Sequence, residues 1–247
     1  MSVANPFRRT CRQLADGSYN SKGNGRYVKH PRFAVAPEQY VRAFLIIQKD
    51  LLELFDYVEP ADANLICYSY RIHELHMRTC IEVEANCKAI LTENGYSRSG
   101  DWNMGDYKKI EKTHRLSAYQ VKAPFWHGNQ HTRVPYSAWP SGGTLNWYDS
   151  YNAAKHDRHN QFLQASFDNL LSAVSGLVAL LSSQFCREDF SQGPDYMSWG
   201  GPSDGFEGAI GGYFRVKFPA NWPVADRYSF NWQQLESLPD PFQSLTF

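Results

Sequence analysis

The chain has no CxxC pair, no excess of either charge and no uninterrupted apolar run of membrane length. Each absence excludes something. The five cysteines, Cys11, Cys67, Cys80, Cys87 and Cys186, are odd in number and scattered. They read as reduced, mostly buried thiols of a cytoplasmic protein, not as a disulfide framework. Twenty-five basic residues against twenty-five acidic ones leave a formal net charge of +0, so no overall field draws in nucleic acid. The opening MSVANPFRRTCRQLADG lacks the apolar core of a secretory signal. The longest apolar stretch, Leu170 to Leu181, is short and is interrupted by Ser172, Ser175 and Gly176, so no membrane span is expected. A Walker A loop, GxGxxG, GxSxG and an ordered Ser-His-Asp or Cys-His set are also missing.

What remains is a chain of 247 residues, 43% hydrophobic and 20% charged, long enough to bury its own core. Residues 1–36 carry Arg8, Arg9, Arg12, Lys22, Arg26, Lys29 and Arg32 against the single acid Asp16. With Gly17, Gly23 and Gly25 they read as a flexible, solvated basic arm, or in a sharper reading as a phosphate-contacting one. Residues 37–189 read as a helical bundle with a short non-helical insert at about 117–143. Residues 190–247, rich in Gly, Pro, Trp and Phe, read as a β-containing extension with strand-like runs at Tyr213 to Phe218 and Arg227 to Trp232.

Within the bundle, Pro37 suits the first turn of a helix carrying Val41, Phe44, Leu45, Leu51, Leu52, Phe55 and Val58, which Pro60 ends. A second helix is expected from a cap at Asp62 to Asn94-Gly95, with Leu65, Ile66, Tyr70, Leu75, Ile81, Ile90 and Leu91 on its core side. A short charged helix follows over 105–116. Tyr119 to Trp126 and Thr132 to Trp139 can pair as a hairpin across Gly128-Asn129. Thr144 caps a fourth helix over 144–159, and a fifth runs from about Gln161 to Phe185 with Phe162, Phe167, Leu170, Leu171, Val174, Leu177, Val178 and Leu181 inward.

The densest polar cluster on any of these helices is Tyr151-Asn-Ala-Ala-Lys155-His156-Asp-Arg158-His159. Helical spacing puts Asn152, His156 and His159 on one face with Lys155 beside it. A histidine beside an amide and a cation can act as general acid or base on a phosphodiester, while Lys or Arg stabilises charge on phosphorus. The plain reading of the same residues is a solvated helix end. On the second helix, His73, His76, Cys80 and Cys87 lack the i,i+4 histidine pair of a zinc helix and read as packing residues. Glu74, Arg78 and Glu82 form an i,i+4 ladder. His127, His131 and Arg133 read as exposed loop residues, which together with the arm can face RNA. The aromatics Trp199, Phe206, Tyr213, Phe214, Trp222 and Trp232 read as the core of the extension, with base stacking as the other use.

The run Tyr151-Asn152-Ala153-Ala154-Lys155-His156, on a late helix followed by a long apolar one, resembles the HEPN superfamily, whose signature is commonly written RNxxxH. The resemblance covers about residues 37–185. It rests on Asn152, His156, their spacing and the helix that follows. It implies a mainly α, HEPN-like helical bundle, here with a small β-containing C-terminal extension, needing neither metal nor cofactor. It further implies a metal-independent endoribonuclease or toxin-like effector of toxin–antitoxin or antiviral defence systems. RNA would be the substrate, an antitoxin or other protein the partner, and a homodimer the working form, with the site built across two protomers. In that reading His156 is the general acid or base, Asn152 orients it or binds phosphate, and Lys155 or Arg158 supplies charge. Tyr151 and His159 support them, as do Arg78 and Glu82 from a facing polar helix. The chain departs from the signature at Tyr151, which stands at the arginine position and brings no positive charge. That departure supports the alternative, a catalytically inactive HEPN-like module that binds a partner protein or RNA.

Overall fold

Several helices begin at a residue whose side chain caps them. A computed structural model describes residues 2–190 and 204–247 of the chain. Helix α1, Pro37–Phe55, has its proline in the first turn and buries Val41, Phe44, Ile47, Leu51 and Leu54 at helical spacing. Helix α2, Tyr70–Glu93, starts at Ser69, whose side chain accepts from the Ile72 N–H at 3.2 Å. The expected start at Asp62 is corrected. That residue opens a 3-10 turn, Asp62–Asn64, and its carboxylate accepts from Trp126 Nε1 at 2.6 Å and from the Asn129 and Gln130 N–H groups at 2.8 and 3.0 Å. A Cβ on Gly128 would lie 2.3 Å from the same carboxyl carbon, so this bend of the loop requires glycine. Leu75, Ile90 and Leu91 are buried as expected, together with Ile72 and Val83, whereas Ile66 before the helix, Tyr70 at its first position and Ile81 on its outer face are exposed.

The expected charged helix is two short ones, α3 (Met104–Tyr107) and α4 (Ile110–His114). The hairpin is present but short: β1 (Gln120–Lys122) pairs antiparallel with β2 (Thr132–Arg133). The expected fourth helix is broken. Helix α5 covers Asn146–His156 and α6 covers Arg158–Gln161. Between them the Asp157 side chain accepts from the Asn160 N–H at 3.3 Å, a capping bond that competes with continuing the helix. Thr144 is not the cap of α5; Leu145 holds that position without a side-chain bond. Helix α7, Phe167–Phe185, is capped by Ser166 and packs against α1, α2 and α5. Apart from Asp168, Asn169 and Ser172 it is buried along its whole length, which makes it the central helix of the bundle and not a half-exposed one.

The C-terminal residues do not stand apart from this bundle. Strand β4 (Arg215–Lys217) pairs with β1, and β3 (Glu207–Gly208) pairs with β4, giving an antiparallel sheet in the order β2-β1-β4-β3. The strand expected at 227–232 is reduced to single bridges of Tyr228 to Val3 and Leu14, and Trp232 begins the short helix α8, Trp232–Leu235. Phe214, Trp222 and Trp232 are buried, as expected of core residues. Trp199 lies outside the described residues.

Nor is the N-terminal segment a free arm. Cys11, Leu14, Tyr27, Val28 and Phe33 are buried, and Tyr27 packs its ring against Phe33, Tyr228, Phe230 and Trp232. Arg9 is 0% exposed. Its guanidinium donates to Glu93 at 2.6 Å, to Gln184 Oε1 at 3.0 Å and to the Val35 carbonyl at 2.8 Å, and lies over the rings of Tyr40 and Phe185. Arg12 donates to the Thr113 and Asp226 carbonyls among the rings of Phe7, Trp222 and Tyr228. Arg8 and Arg32 pair with Asp240, Arg26 with Glu236 and Lys29 with Glu188. The flexible, solvated arm is therefore corrected: Arg9 and Arg12 are buried within the fold, whereas Arg26, Lys29 and Arg32 keep more than half of their side chains exposed in surface ion pairs.

Truncating Arg9 leaves Glu93 and Gln184 without their partner in a largely dry place. Arg9→Ala is expected to lower stability by about 3–5 kcal/mol in urea unfolding, and Arg9→Lys by less, because an ammonium cannot reproduce the planar fork of donors. A change below about 1 kcal/mol for Arg9→Ala would show that this pair does not anchor the segment.

Candidate functional site

The polar run at the end of α5 is divided by burial. Tyr151 is 2% exposed and faces inward; its ring packs on Tyr148, whose hydroxyl donates to Glu84 of α2 at 2.8 Å. Burial raises the Tyr151 pKa, so it stays a neutral phenol. Lys155 is exposed, donates to the Tyr151 hydroxyl at 3.2 Å, and has its own pKa raised by that bond. Asn152 is half-buried, and His156, Arg158 and His159 are exposed. No side-chain hydrogen bond or ion pair holds His156 among the described residues. The break at Asp157 also takes His159 off the shared helical face expected for Asn152, His156 and His159.

The supporting pair is corrected too. Arg78 faces α1, where it pairs with Asp50, and Arg71 pairs with Glu74 at 3.5 Å in place of the expected ladder. Glu82 is half-buried, and burial raises its pKa. A groove of about 400 Å³ between α1 and α2 is lined by Asp50, Glu53, Tyr57, Arg71, Glu74 and Arg78, with cations and carboxylates interspersed. Arg133 is largely buried, held by Asp168 Oδ1 at 2.6 Å and Ser172 Oγ at 2.8 Å, while His127 is exposed near Glu59. Among the described residues no three His, Cys, Asp or Glu side chains gather as a metal site. No helix among them is long and apolar enough to cross a membrane.

What Arg158 does join is an aromatic surface. Its guanidinium lies 6.0 Å from the centre of the Tyr70 ring. Tyr70 sits 4.8 Å from Phe162, Tyr68 is 5.8 Å from Phe162, and His73 is 5.5 Å from it. Tyr70 is 69% exposed and Tyr68 51%, and Ile66 and Leu163 are exposed nearby in the chain. The cluster is held from below. The Phe167 and Asp168 N–H groups donate to the Cys67 and Leu65 carbonyls at 2.7 and 2.9 Å, and Tyr68 bridges to Ser166, so 65–68 is pinned to the start of α7. Ser69 then starts α2 with Tyr70 as its first residue. The His73 pKa is lowered, first by burial and then by the Arg158 charge, which keeps the ring neutral beside that cation.

No protein-family model, curated protein or solved structure matches this chain. The site is therefore read from its chemistry: an exposed set of rings with Arg158 over one of them, and Lys155, His156 and His159 on the adjoining turn. Tyr68, Tyr70 and Phe162 are not among the residues expected from the sequence. Their signal was there in Ser69, a good cap one residue before Tyr70, and in Ser166, which starts α7 after Phe162 and not before it.

The two helices carrying the site are joined by a buried neutral histidine. His76 of α2 donates from Nε2 to the Trp147 carbonyl of α5 at 2.9 Å, and burial lowers its pKa to about 4. His114 donates from Nε2 to the Arg9 carbonyl at 2.9 Å, and burial lowers its pKa to about 3. Unfolded, both titrate near 6.5. Below that pH the unfolded chain binds protons that the folded chain refuses, so stability falls as pH drops toward about 4, by up to ~1.4 kcal/mol per pH unit per histidine. Urea midpoints are expected to be level above about pH 7 and to fall on acidification, with a shallower fall in His76→Gln. An unchanged midpoint down to about pH 5 would contradict neutral burial.

Proposed function

We propose that this chain is a HEPN-like module that binds single-stranded RNA, with Tyr70, Tyr68 and Phe162 as its stacking surface and Arg158 as its principal cation. The observation that carries the reading is the exposed Tyr70 ring under the Arg158 guanidinium, packed against Phe162. An unpaired base offers a flat face to such a ring, and each stack contributes about 1–3 kcal/mol regardless of base identity. A duplex keeps its base faces covered by neighbouring pairs, so the preferred ligand is single-stranded. Lys155, His159 and the exposed Arg71 lie near the rings in the chain and can meet successive phosphates. The likeness of residues 151–156 to the HEPN signature adds independent support for RNA as the ligand, and a setting in antiviral defence follows from that likeness alone.

The catalytic form of the reading is the second one, favoured by the exposure of Lys155, His156, Arg158 and His159 on either side of the break at Asp157. It ranks lower because metal-independent cleavage needs an oriented base and a cation at the reacting phosphate. Tyr151, at the signature's arginine position, is turned inward, and no side chain among the described residues bonds His156 to orient it. A second protomer in a homodimer would have to supply what one copy does not bring together.

Fluorescence anisotropy with a labelled uridine oligonucleotide tests binding. Tyr70→Ala and Arg158→Ala are each expected to weaken it about 10-fold, with a salt slope near −2 for about three phosphate contacts. Wild-type binding to a hairpin duplex as tight as to the single strand, or a Tyr70→Ala variant that binds normally, would overturn the stacking surface. The same RNA incubated with EDTA tests cleavage: intact product supports a binding module, and cutting that His156→Ala reduces by ~100-fold or more restores the nuclease reading.

A further inference from the structure

Two cysteines far apart in sequence are brought side by side where the N-terminal segment crosses the end of α7. The Cys11 N–H donates to the Ser183 carbonyl in the last turn of α7 at 2.7 Å. Cys186 is the residue that ends α7, its N–H bonded to the Ser182 carbonyl at 3.0 Å. Ser183 lies one helical turn before Cys186, so this crossing sets the two cysteines beside each other, and each thiol influences the ionisation of the other. Both are free thiols in this structure. Their surroundings are unequal: Cys11 is 1% exposed, whereas Cys186 is only partly buried, next to Arg187, which pairs with Glu207 at 3.1 Å. Cys186 also holds φ 56°, ψ −104°, a left-handed conformation that side chains other than glycine avoid. Such strained positions concentrate at sites with a chemical role.

We propose that Cys11 and Cys186 form a redox-modification site, at which a low-molecular-weight disulfide of the glutathione type converts the two thiols into one intramolecular disulfide. The order of events follows from exposure. The Cys186 thiolate attacks one sulfur of the small disulfide, a new S–S bond forms, and one small thiolate leaves. Cys11, already beside Cys186, gives up its proton and attacks Cys186 Sγ; the mixed disulfide breaks and the second small thiol departs. Two protein thiols lose two protons and two electrons, and the small disulfide gains them as two thiols. Cys186 is the attacking group because it is the less buried of the two, and its pKa is lowered, first by the neighbouring Cys11 thiol and also by the Arg187 charge, while burial raises that of Cys11. The remaining cysteines do not compete as a pair. Cys80 and Cys87 are fully buried and seven residues apart on α2, a separation of about 10 Å that no disulfide spans.

The product ties the segment that carries Arg9 to the helix end that carries Gln184. The linkage restricts the unfolded chain over a long loop, so the oxidised form is expected to melt about 5 °C higher than the reduced form. The experiment treats the full chain with glutathione disulfide, maps the peptides without reduction by mass spectrometry, and compares Cys11→Ser with Cys186→Ser. The expected results are a linked Cys11–Cys186 peptide in the wild type, a persistent glutathione adduct on Cys186 in Cys11→Ser, and no adduct on Cys11 in Cys186→Ser. A wild type that retains glutathione on Cys186 without closing, or that links other cysteines, overturns the proposal. So does one that remains fully reduced while an unrelated exposed thiol in the same solution reacts.

Discussion

A guanidinium without solvent is the constraint around which this fold is arranged. An ion of this size costs several kcal/mol to bury, and the cost is offset only when every donor has a partner and the flat faces are covered. Arg9 meets that demand from four directions: Glu93 at the end of α2, Gln184 at the end of α7, the Val35 carbonyl just before α1, and the rings of Tyr40 and Phe185. Gln184 in turn donates to Asn86 of α2 at 2.9 Å, so the guanidinium sits at the head of a chain of polar contacts running between α7 and α2. Once Arg9 is seated, the neighbouring residues follow. Cys11 lies along α7, Arg12 enters a cage of three rings, and the first residues bridge to the C-terminal segment.

This use of the N-terminal cations has a consequence for function. Of the basic segment's cations, Arg9 and Arg12 are taken into the core, and Arg8, Arg26, Lys29 and Arg32 pair at the surface with Asp240, Glu236 and Glu188. Exposed positive charge also stands at and past the end of α5, in Lys155 of α5 and in Arg158 of α6, which lies over the Tyr70 ring. Both halves of that surface are bonded to the helices beneath them. The rings are fixed by the pairing of 65–68 with the start of α7, and α5 is fixed to α2 through His76 and Tyr148. A stacking surface gains from such anchoring, because little freedom is lost when a ligand settles on it.

The helical content was legible because apolar spacing survives small errors of boundary. Pro37 with Val41, Phe44 and Leu51 located α1, and the run from Leu170 to Leu181 located α7. The short hairpin at 120–133 was visible from Gly128-Asn129 between two strand-like runs. The site was legible only in part. Periodicity placed Asn152, His156 and His159 together, yet Asp157 caps a new helix and turns the chain between them. Periodicity also placed Tyr70 in the core, because a start at Asp62 rather than Ser69 extends the helix over residues that are not helical.

Residue pattern alone determined that the chain is mainly helical, where its long helices run, and that its polar residues concentrate at 151–159. Those are local properties, set by side-chain period and composition over a few turns. Tertiary structure alone decided that residues 1–36 are part of the core, that β4 completes a sheet begun at β1, and that Arg158 stands over Tyr70. Each of these joins residues separated by tens to hundreds of positions. An arginine reads as solvated in a sequence and becomes a core residue only when distant partners satisfy its donors together, which no local pattern records.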